Sequence, residues 1–434
     1  MKTPANRWPG QSWYEVEAGA RAWPVLAGTV RAEVAVVGAG LAGISTALEL
    51  IEKGCRGVVV VDALEPGGGA SGRNGGFVFA GYSLAGDALL AQIGRERAAR
   101  MHGWTRDAVA RVRGRIDRYA IECQVSDAGV LLADWFDEPE VLSAWAGRMK
   151  RDLGFDLEPV ERAAMADYVR SARYGGGLLE PGSFHFQPLR YIRGLADAIL
   201  AGGGQVFGQS PVRAIRRQGA GWCIECPQGR IVADEVVLAT GGYDRRLVPT
   251  VQRALQPVAT YVAVTEPLGE RLDAFLPGGV AVYDTRFAFD YYRPLPDSRL
   301  LWGGRISMAA RSPGAIRRLM RRDLERVFPG LSGVRFDHAW GGWMSYARHE
   351  MPLLGRTAEG LWHALAFGGH GMAPTTLAGA ILAEALTGKP ERLDEFSDWP
   401  PRWAGGVTGR LVGQLIYWRA QLRDAWKDRR LRSQ

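Results

Sequence analysis

Apolar and polar residues follow a regular order between residues 33 and 62. The run EVAVVG at 33–38 is short, rich in β-branched residues and ended by glycine, as is typical of a buried parallel strand. The segment ISTALELIEKG at 44–54 carries apolar residues at helical spacing, and VVVVD at 58–62 is a second buried run. Strand, glycine-rich turn, helix and strand in this order predict a βαβ unit.

The turn of this unit, GAGLAG at 38–43, is a complete G-x-G-x-x-G motif, and Asp62 follows Gly43 by 19 residues. Gly38 permits a tight turn, Gly40 lets a pyrophosphate approach the main chain, and Gly43 lets the helix pack against the sheet. The helix N-terminus offers N–H groups to phosphate. Asp62 is expected to accept hydrogen bonds from a ribose 2′-hydroxyl and to repel a 2′-phosphate. The unit is therefore predicted to bind a dinucleotide other than NADP.

A second glycine-rich stretch, PGGGASGRNGGF at 66–77, follows the second strand almost directly. Glycine lets the main chain pass close to a flat ring system without Cβ clashes, and the N–H groups of such a loop suit phosphate or ring carbonyl oxygens. The apolar FVFAG at 77–81 comes next, so this stretch lies between two core segments and is not a flexible linker. We expect both glycine-rich turns to contact the same dinucleotide.

Residues 258–265, 280–293 and 299–304 alternate in polarity and are rich in aromatic side chains. This pattern predicts an antiparallel sheet with one covered face. Alternation places only one set of the aromatic residues toward a pocket, and the candidates are Phe287, Phe289, Tyr291 and Tyr292.

These patterns predict an α/β dinucleotide-binding domain of Rossmann type with a mixed central sheet, and a second, α+β domain with an antiparallel sheet, named the substrate domain below. The predicted division is an N-terminal extension at 1–29, a discontinuous dinucleotide-binding domain at 30–85, 185–250 and 338–400, a substrate domain at 86–184 and 251–337, and a basic C-terminal helix at 401–434.

Composition and charge exclude several classes of function. The chain of 434 residues is 47% hydrophobic and 23% charged, as expected of a globular protein. The net charge is +8, but residues 407–434 alone carry +5, so the charge of the remaining residues is nearly balanced and a nucleic-acid-binding protein is not predicted.

Cys223 and Cys226 lie in the strand-like WCIEC and do not open a helix, so no redox or metal site is predicted. The segment MKTPANRWPGQSWYE lacks the apolar core of a signal peptide, and a cytoplasmic setting is expected.

Residues 33–77 resemble the amine- and amino-acid-oxidising flavoenzymes of the D-amino acid oxidase superfamily. They are most similar to its gamma-glutamylputrescine oxidase-like branch, in which GASGRNGG follows the acidic residue almost unchanged. The resemblance is loose over 86–180. Supporting similarity is found at 12–18 (SWYEVEA), 183–195 (SFHFQPLRYIRGL), 235–243 (EVVLATGGY) and 341–385.

The resemblance implies that the cofactor is FAD. The linking cysteine and histidine of relatives with covalent flavin have no counterparts in WGGWMSYARHE and GASGRNGG, so the FAD is expected to be non-covalent. The residues expected to bind it are Gly38, Gly40, Leu41, Ala42, Gly43, Asp62, Ala63, Ala70, Ser71, Arg73, Asn74, Gly75, Gly76, Val212, Thr240, Gly241, Gly369, His370, Gly371 and Met372.

The implied activity is oxidation of an amine C–N bond to an imine, with hydride transferred to flavin N5. The expected catalytic residues are His370 in the GHG turn, Tyr291 in the aromatic set and Arg348. The positions at which relatives hold a substrate carboxylate with arginine fall on about Met344 and Gly369, which favours an amine without an α-carboxylate.

Several alternatives stay open. A D-amino acid or glycine dehydrogenase or oxidase is one, and a flavin-binding structural or assembly protein without turnover is another. LLWGG at 300–304 lacks the lysine with which some relatives activate oxygen, so the electron acceptor is either O2 or an electron-transfer partner.

The C-terminal segment carries an apolar stripe on a basic helix. Such a helix either lies on an anionic membrane, here the inner face, or packs its stripe on the body of the enzyme. The stripe consists of Leu411, Leu415, Trp418, Leu422 and Trp426.

Overall fold

The computed structural model describes residues 10–243 and 247–432. The first nine residues of the predicted N-terminal extension and the last two of the predicted C-terminal helix lie outside these ranges, as do residues 244–246.

The strands, in chain order, are β1 (Gly28–Val37), β2 (Val58–Val61), β3 (Phe77–Val78), β4 (Val130–Ala133), β5 (Glu158–Val160), β6 (Gly177–Glu180), β7 (Phe184–His185), β8 (Gln205–Phe207), β9 (Ala214–Gln218), β10 (Gly221–Glu225), β11 (Gly229–Leu238), β12 (Gln256–Thr265), β13 (Ala281–Asp284), β14 (Asp290–Pro294), β15 (Leu300–Ser307), β16 (Phe336–Tyr346), β17 (Leu353–Arg356) and β18 (Trp362–Leu365).

The helices, in chain order, are α1 (Trp13–Glu17), α2 (Leu41–Glu52), α3 (Gly86–Ile93), α4 (Arg95–Arg118), α5 (Pro139–Leu153), α6 (Pro188–Ala201), α7 (Pro249–Gln252), α8 (Arg271–Phe275), α9 (Pro313–Val327), α10 (Met372–Leu386), α11 (Glu391–Asp394) and α12 (Gly406–Arg432).

The first sheet has the order β17-β18-β11-β1-β2-β8, and β10 and β9 extend from β11. Its central strands β18, β11, β1, β2 and β8 are parallel, whereas β17, β10 and β9 add antiparallel pairs, so the predicted mixed sheet is confirmed. Helices α2, α6 and α10 pack together over this sheet. Gly379 of α10 lies so close to α2 that an added Cβ atom comes within 2.7 Å of Ser45, and the crossing therefore depends on glycine.

The second sheet has the order β16-β12-β15-β14-β13-β4-β6-β5. All its pairs are antiparallel except β13 with β4, which fits the predicted substrate sheet. Helix α9 packs on this sheet through Ile316, Met320 and Leu324. The predicted domain boundary at 338 falls within β16, which pairs with β12 along its whole length in the second sheet.

The C-terminal helix α12 lies against the second sheet with its polar side. Ile306 N–H donates to Tyr417 Oη at 3.1 Å, and Met308 N–H donates to Gln414 Oε1 at 3.0 Å. The apolar stripe predicted on this helix points outward, since its five side chains are between 52% and 72% exposed. The interpretation that the stripe packs on the enzyme's own body is therefore wrong.

Within residues 10–243 and 247–432, no helix is both long enough and apolar enough to cross a bilayer.

Candidate active site

A cavity of about 1630 Å³ lies between the two sheets. One end is lined by the carboxyl ends of β1 and β2, at Val37 and Val61. The other end is lined by the substrate sheet and by α12. In a parallel sheet, ligands bind outside the carboxyl ends of the strands, so the first end is where a dinucleotide belongs.

Glycine is required at the turn that opens α2. Gly38 has φ +114°, and a Cβ atom there comes within 2.4 Å of Ala239 O. A Cβ atom on Gly43 comes within 1.9 Å of Gly38 O, so the turn and the first turn of the helix touch through main-chain atoms. No side chain fits at either position, and the main chain is left open toward the cavity at Gly40.

Asp62 terminates β2 with its carboxylate turned back to the glycine turn. Ala39 N–H donates to Oδ2 at 2.6 Å, and Leu64 N–H donates to Oδ1 at 2.7 Å. Burial raises the pKa of Asp62 to about 6, while the two N–H groups act in the opposite direction. Each oxygen keeps a second lone pair, so the carboxylate is fixed in position and still able to accept from a ribose hydroxyl.

Ser71 links the two glycine-rich turns. Leu41 N–H, at the start of α2, donates to Ser71 Oγ at 2.9 Å, and a Cβ atom on Gly40 comes within 2.9 Å of the same oxygen. Because Oγ acts as an acceptor here, its own hydrogen is left to donate, and Ser71 lines the cavity. A hydroxyl donor beside a helix N-terminus suits a pyrophosphate. The residues present therefore fit the dinucleotide cofactor that the motifs predict.

Arg73 and Asn74 were expected to contact the cofactor, but their side chains bond to protein. The Arg73 guanidinium donates to Gly341 O at 3.0 Å, to Gly10 O at 2.9 Å and to Glu15 Oε2 at 3.1 Å. The Asn74 amide donates to Ser71 O at 2.6 Å and accepts from Gly76 N–H at 2.8 Å. Both residues line the cavity, and their side chains fix the shape of the loop.

His370 lies at the N-terminus of α10, which begins at Met372. Its Nε2 is 3.2 Å from Phe79 O, and its ring packs on the Phe79 ring with centroids 4.1 Å apart. Burial lowers the pKa of His370 to about 4, although the Phe79 and Ala80 carbonyls act in the opposite direction. The imidazole is therefore neutral at pH 7.

Tyr291 lies where the loop meets the substrate sheet. A Cβ atom on Gly75 comes within 2.6 Å of its ring, and one on Gly303 comes within 2.1 Å, so the ring fits between two glycines. Its centroid is 5.5 Å from that of Phe77, in an edge-on arrangement. Tyr291 thus forms part of an aromatic wall.

The arginines of the cavity differ in availability. Arg305 is held by Asp323, with Nε 2.8 Å from Oδ2, whereas Arg348 is exposed at the rim. Met344 and Gly369 both line the cavity and are close neighbours, since a Cβ atom on Gly369 comes within 3.7 Å of Met344 Sδ. Because Arg305 is paired with Asp323, it is not available to bind a substrate carboxylate as the arginines of relatives do.

Most of the predicted site residues come together on this cavity, and three do not. Ala42 and Gly43 lie in the packing between α2 and the sheet, and Gly76 packs with φ +80° against Phe186 O. The residues that line the cavity are Gly38, Gly40, Leu41, Asp62, Ala63, Ala70, Ser71, Arg73, Asn74, Gly75, Val212, Thr240, Gly241, Tyr291, Arg348, Gly369, His370, Gly371 and Met372.

Sequence reasoning missed Glu180, a buried carboxyl that lines the cavity. It ends β6, in the part of the chain where the resemblance is loose. A charged residue closing the apolar run GLLE was the one signal that pointed to it.

Comparison with known proteins agrees with this fold. Residues 33–385 match the model of the FAD dependent oxidoreductase family, and the chain belongs to that family. It is therefore an FAD-dependent oxidoreductase, of the class whose members act on amines and amino acids.

Two named relatives are similar over nearly the whole chain. Gamma-glutamylputrescine oxidoreductase of Escherichia coli is 33% identical over 404 residues, covering 92% of this chain and 94% of its own. Probable oxidoreductase OrdL of Haemophilus influenzae is 32% identical, covering 91% and 92%. Among solved structures, glycine oxidase from Geobacillus kaustophilus superposes with a TM-score of 0.73 at 20% identity, covering 86% of this chain and 99% of its own, which supports the shared fold.

Ser71→Ala tests the link between the two turns. We expect FAD to bind about 10-fold more weakly or worse, because a hydrogen bond to a charged group contributes about 1.5–3 kcal/mol. The measurement is titration of deflavinated protein with FAD, followed by flavin fluorescence. Ser45→Ala is the matched control, since Ser45 is buried in α2, the helix whose Leu41 N–H donates to Ser71, and does not line the cavity. Equal FAD affinity in both variants contradicts the assignment of Ser71.

Proposed function

We propose that the chain oxidises a C–N bond of an amine that carries no carboxylate on the oxidised carbon. The supporting observation is the substrate end of the cavity. Met344 and Gly369 occupy the positions expected for carboxylate-binding arginines, and Arg305 is held by Asp323. A wall of aromatic and apolar side chains suits an aliphatic amine, whereas a carboxylate buried there lacks a partner.

When bound, FAD accepts the hydride that leaves the carbon beside the amine nitrogen. The chain binds and orients the cofactor: we assign the phosphates to Leu41 and Ser71, and the adenosine ribose to Asp62. The N-terminus of α10, which lines the cavity at Gly371 and Met372, would stabilise negative charge that develops on bound flavin. We expect this binding to be non-covalent, since among the described residues none of the four cysteines lines the cavity.

We assign His370 and Tyr291 to positioning the reactants. His370 is neutral at pH 7, and its Nε2 is engaged with Phe79 O, so it orders the turn beside the flavin. Tyr291 keeps water from the reacting carbon as part of the aromatic wall, together with Phe77. The roles of His370 and Tyr291 need no charge on these two side chains, because the flavin supplies the redox chemistry.

An amino acid substrate is the second candidate, and Arg348 is the observation that favours it. Its exposed position at the rim allows it to meet a carboxylate that enters from outside. A surface ion pair contributes only about 0–1 kcal/mol, so Arg348 there confers little affinity for an α-carboxylate.

Anaerobic loss of the visible flavin absorbance separates these candidates. We expect γ-glutamylputrescine or putrescine to bleach the holoenzyme faster than glycine or D-alanine. Arg348→Gln is expected to change kcat/KM for the amine by less than about threefold, in line with the small contribution of exposed charges.

Bleaching by the amino acids alone, abolished in Arg348→Gln, contradicts this proposal in favour of the second candidate. Retention of the flavin colour with amines and amino acids alike supports the remaining alternative, a flavin-binding structural or assembly protein without turnover. After reduction, recovery of colour in air identifies O2 as acceptor, and recovery only with an added quinone identifies an electron-transfer partner.

We also propose that the enzyme works in the cytoplasm and that α12 holds it against an anionic inner membrane face. Both acidic residues of this helix are engaged inward: Asp424 accepts from Ala288 N–H at 3.2 Å, and Asp428 pairs with Arg173. The outer side therefore combines the apolar stripe with exposed arginines such as Arg419 and Arg423. Each such cation contributes about 1 kcal/mol near an anionic surface, whereas two copies of the same basic face repel each other.

Flotation with lipid vesicles tests this contact. We expect the protein to float with vesicles of mixed phosphatidylglycerol and phosphatidylcholine, and the doubly substituted Leu422→Ser, Trp426→Ser protein to lose most of that binding. Both side chains are more than half exposed, so the fold is not expected to suffer. Val141→Ser is the control, an equally exposed apolar residue on α5. Binding that is the same for pure phosphatidylcholine, or self-association abolished by the double substitution, speaks against a membrane.

A further inference from the structure

Glu180 is a carboxyl group inside the substrate end of the cavity. It ends β6 and is 7% exposed, and the side chain lines the cavity wall. Ala80 N–H donates to its Oε1 at 2.7 Å. Within the described residues no other hydrogen bond to the Glu180 side chain is found, so Oε2 is left for a ligand.

The other carboxyl groups of the described cavity have different positions. Asp62 lies at the nucleotide end with both oxygens bonded to main-chain N–H groups, and Glu350 is exposed at the rim. Of the three, only Glu180 is less than a tenth exposed, and it lies near Tyr283, which packs with Phe79. A carboxyl group in such surroundings either pairs with a cation or takes up a proton and becomes neutral.

The segment at 79–80 connects Glu180 to the flavin end. Its Ala80 N–H holds Glu180, and its Phe79 carbonyl faces His370 at the N-terminus of α10. Phe79 also lies 5.5 Å, centroid to centroid, from Tyr283. A group bound at Glu180 Oε2 thus lies in the same part of the cavity as the residues expected beside the flavin ring.

We propose that Glu180 binds the ammonium group of the substrate and takes one proton from it. The step breaks an N–H bond and forms an O–H bond on Oε2, and the electron pair stays on nitrogen. It yields the neutral amine, the form from which hydride can leave the adjacent carbon. This inference rests on the proposed function, because it assigns a partner to the amine that the function requires.

The neighbouring titratable groups leave Glu180 free to set the pH dependence. Burial raises the pKa of Glu180 to about 8, and the Ala80 N–H opposes this. Burial also lowers the pKa values of His102 and His370 to about 4, and that of His185 to about 3. Burial, with Glu180 nearby, raises the pKa of the Tyr283 phenol. Between pH 6 and 9 these neighbours stay neutral, and Glu180 changes charge.

The test uses tert-butylamine and tert-butanol with the FAD-loaded enzyme. The carbon bearing the nitrogen of tert-butylamine has no hydrogen, so this amine binds without being oxidised. By isothermal titration calorimetry at pH 8, we expect the wild type to prefer the amine over the isosteric alcohol by about 10- to 100-fold, as for a charge-assisted hydrogen bond. Glu180→Gln keeps an oxygen for Ala80 N–H and is expected to remove this preference.

Glu350→Gln is the matched control, since it makes the same substitution at the exposed rim of the same cavity and should keep the preference. The pH profile adds a second measurement. In the wild type, amine affinity should rise about tenfold per pH unit up to pH 8, with release of one proton, and then level off until the amine itself titrates at about pH 10. This break near pH 8 should be absent from Glu180→Gln.

Equal binding of amine and alcohol by the wild type overturns the inference, and so does a preference that survives in Glu180→Gln. Neither result bears on amine oxidation itself, which is read separately from flavin bleaching by oxidisable amines. A holoenzyme that bleaches with amines while Glu180→Gln binds tert-butylamine normally leaves the proposed function intact and removes Glu180 from it.

Discussion

The site depends on how the loop at 66–76 turns its carbonyl groups away from the cavity. Three consecutive carbonyls each accept from a side chain of another element: Arg73 O from Trp340 at 2.9 Å, Asn74 O from Tyr14 at 2.9 Å and Gly75 O from Arg293 at 2.6 Å. Carbonyl oxygens facing a phosphate or a flavin oxygen repel it, whereas N–H groups attract it. The outward bonds thus allow a glycine-rich loop, which is intrinsically mobile, to present one fixed surface.

The same bonds set the distance between the two sheets. Trp340 belongs to β16 and Arg293 to β14, so the cofactor loop of the first sheet is anchored in the second. Arg293 is 2% exposed and also donates to Phe186 O and to Tyr14 Oη, which adds the N-terminal helix α1 to this joint. A buried guanidinium without these partners is costly, so the network is expected to form as a unit or not at all. The same hydrogen bonds therefore fix both the cofactor loop and the position of the aromatic wall relative to it.

The sequence was sufficient where a physical requirement acts within a short segment. Gly38 was predicted from the tight turn and Gly43 from the close packing of the helix on the sheet, and a Cβ atom at either position comes within 2.4 Å of a main-chain oxygen. It was insufficient where the requirement comes from distant parts of the chain. Arg73 was expected at the cofactor, but its partners lie at residues 10, 15 and 341. Glu180 is a candidate site residue only because it is buried at the end of β6, and the residues next to it in the sequence do not show that burial.

Helix α12 packs its polar side on the protein and exposes its apolar stripe, the opposite of an ordinary surface helix. This arrangement affects how a substrate enters the cavity. Its polar side bonds to the substrate sheet. Val412 and Ile416, which follow Leu411 and Leu415 of the apolar stripe and are about half exposed, line the cavity. The mouth of the cavity and the proposed membrane contact are therefore adjacent. A cationic amine is repelled by the exposed arginines while the helix is free, whereas a docked helix has them neutralised by lipid. An anionic leaflet at about −30 mV also concentrates a monovalent cation roughly threefold near its surface. Docking then favours entry of a cation toward the buried carboxyl.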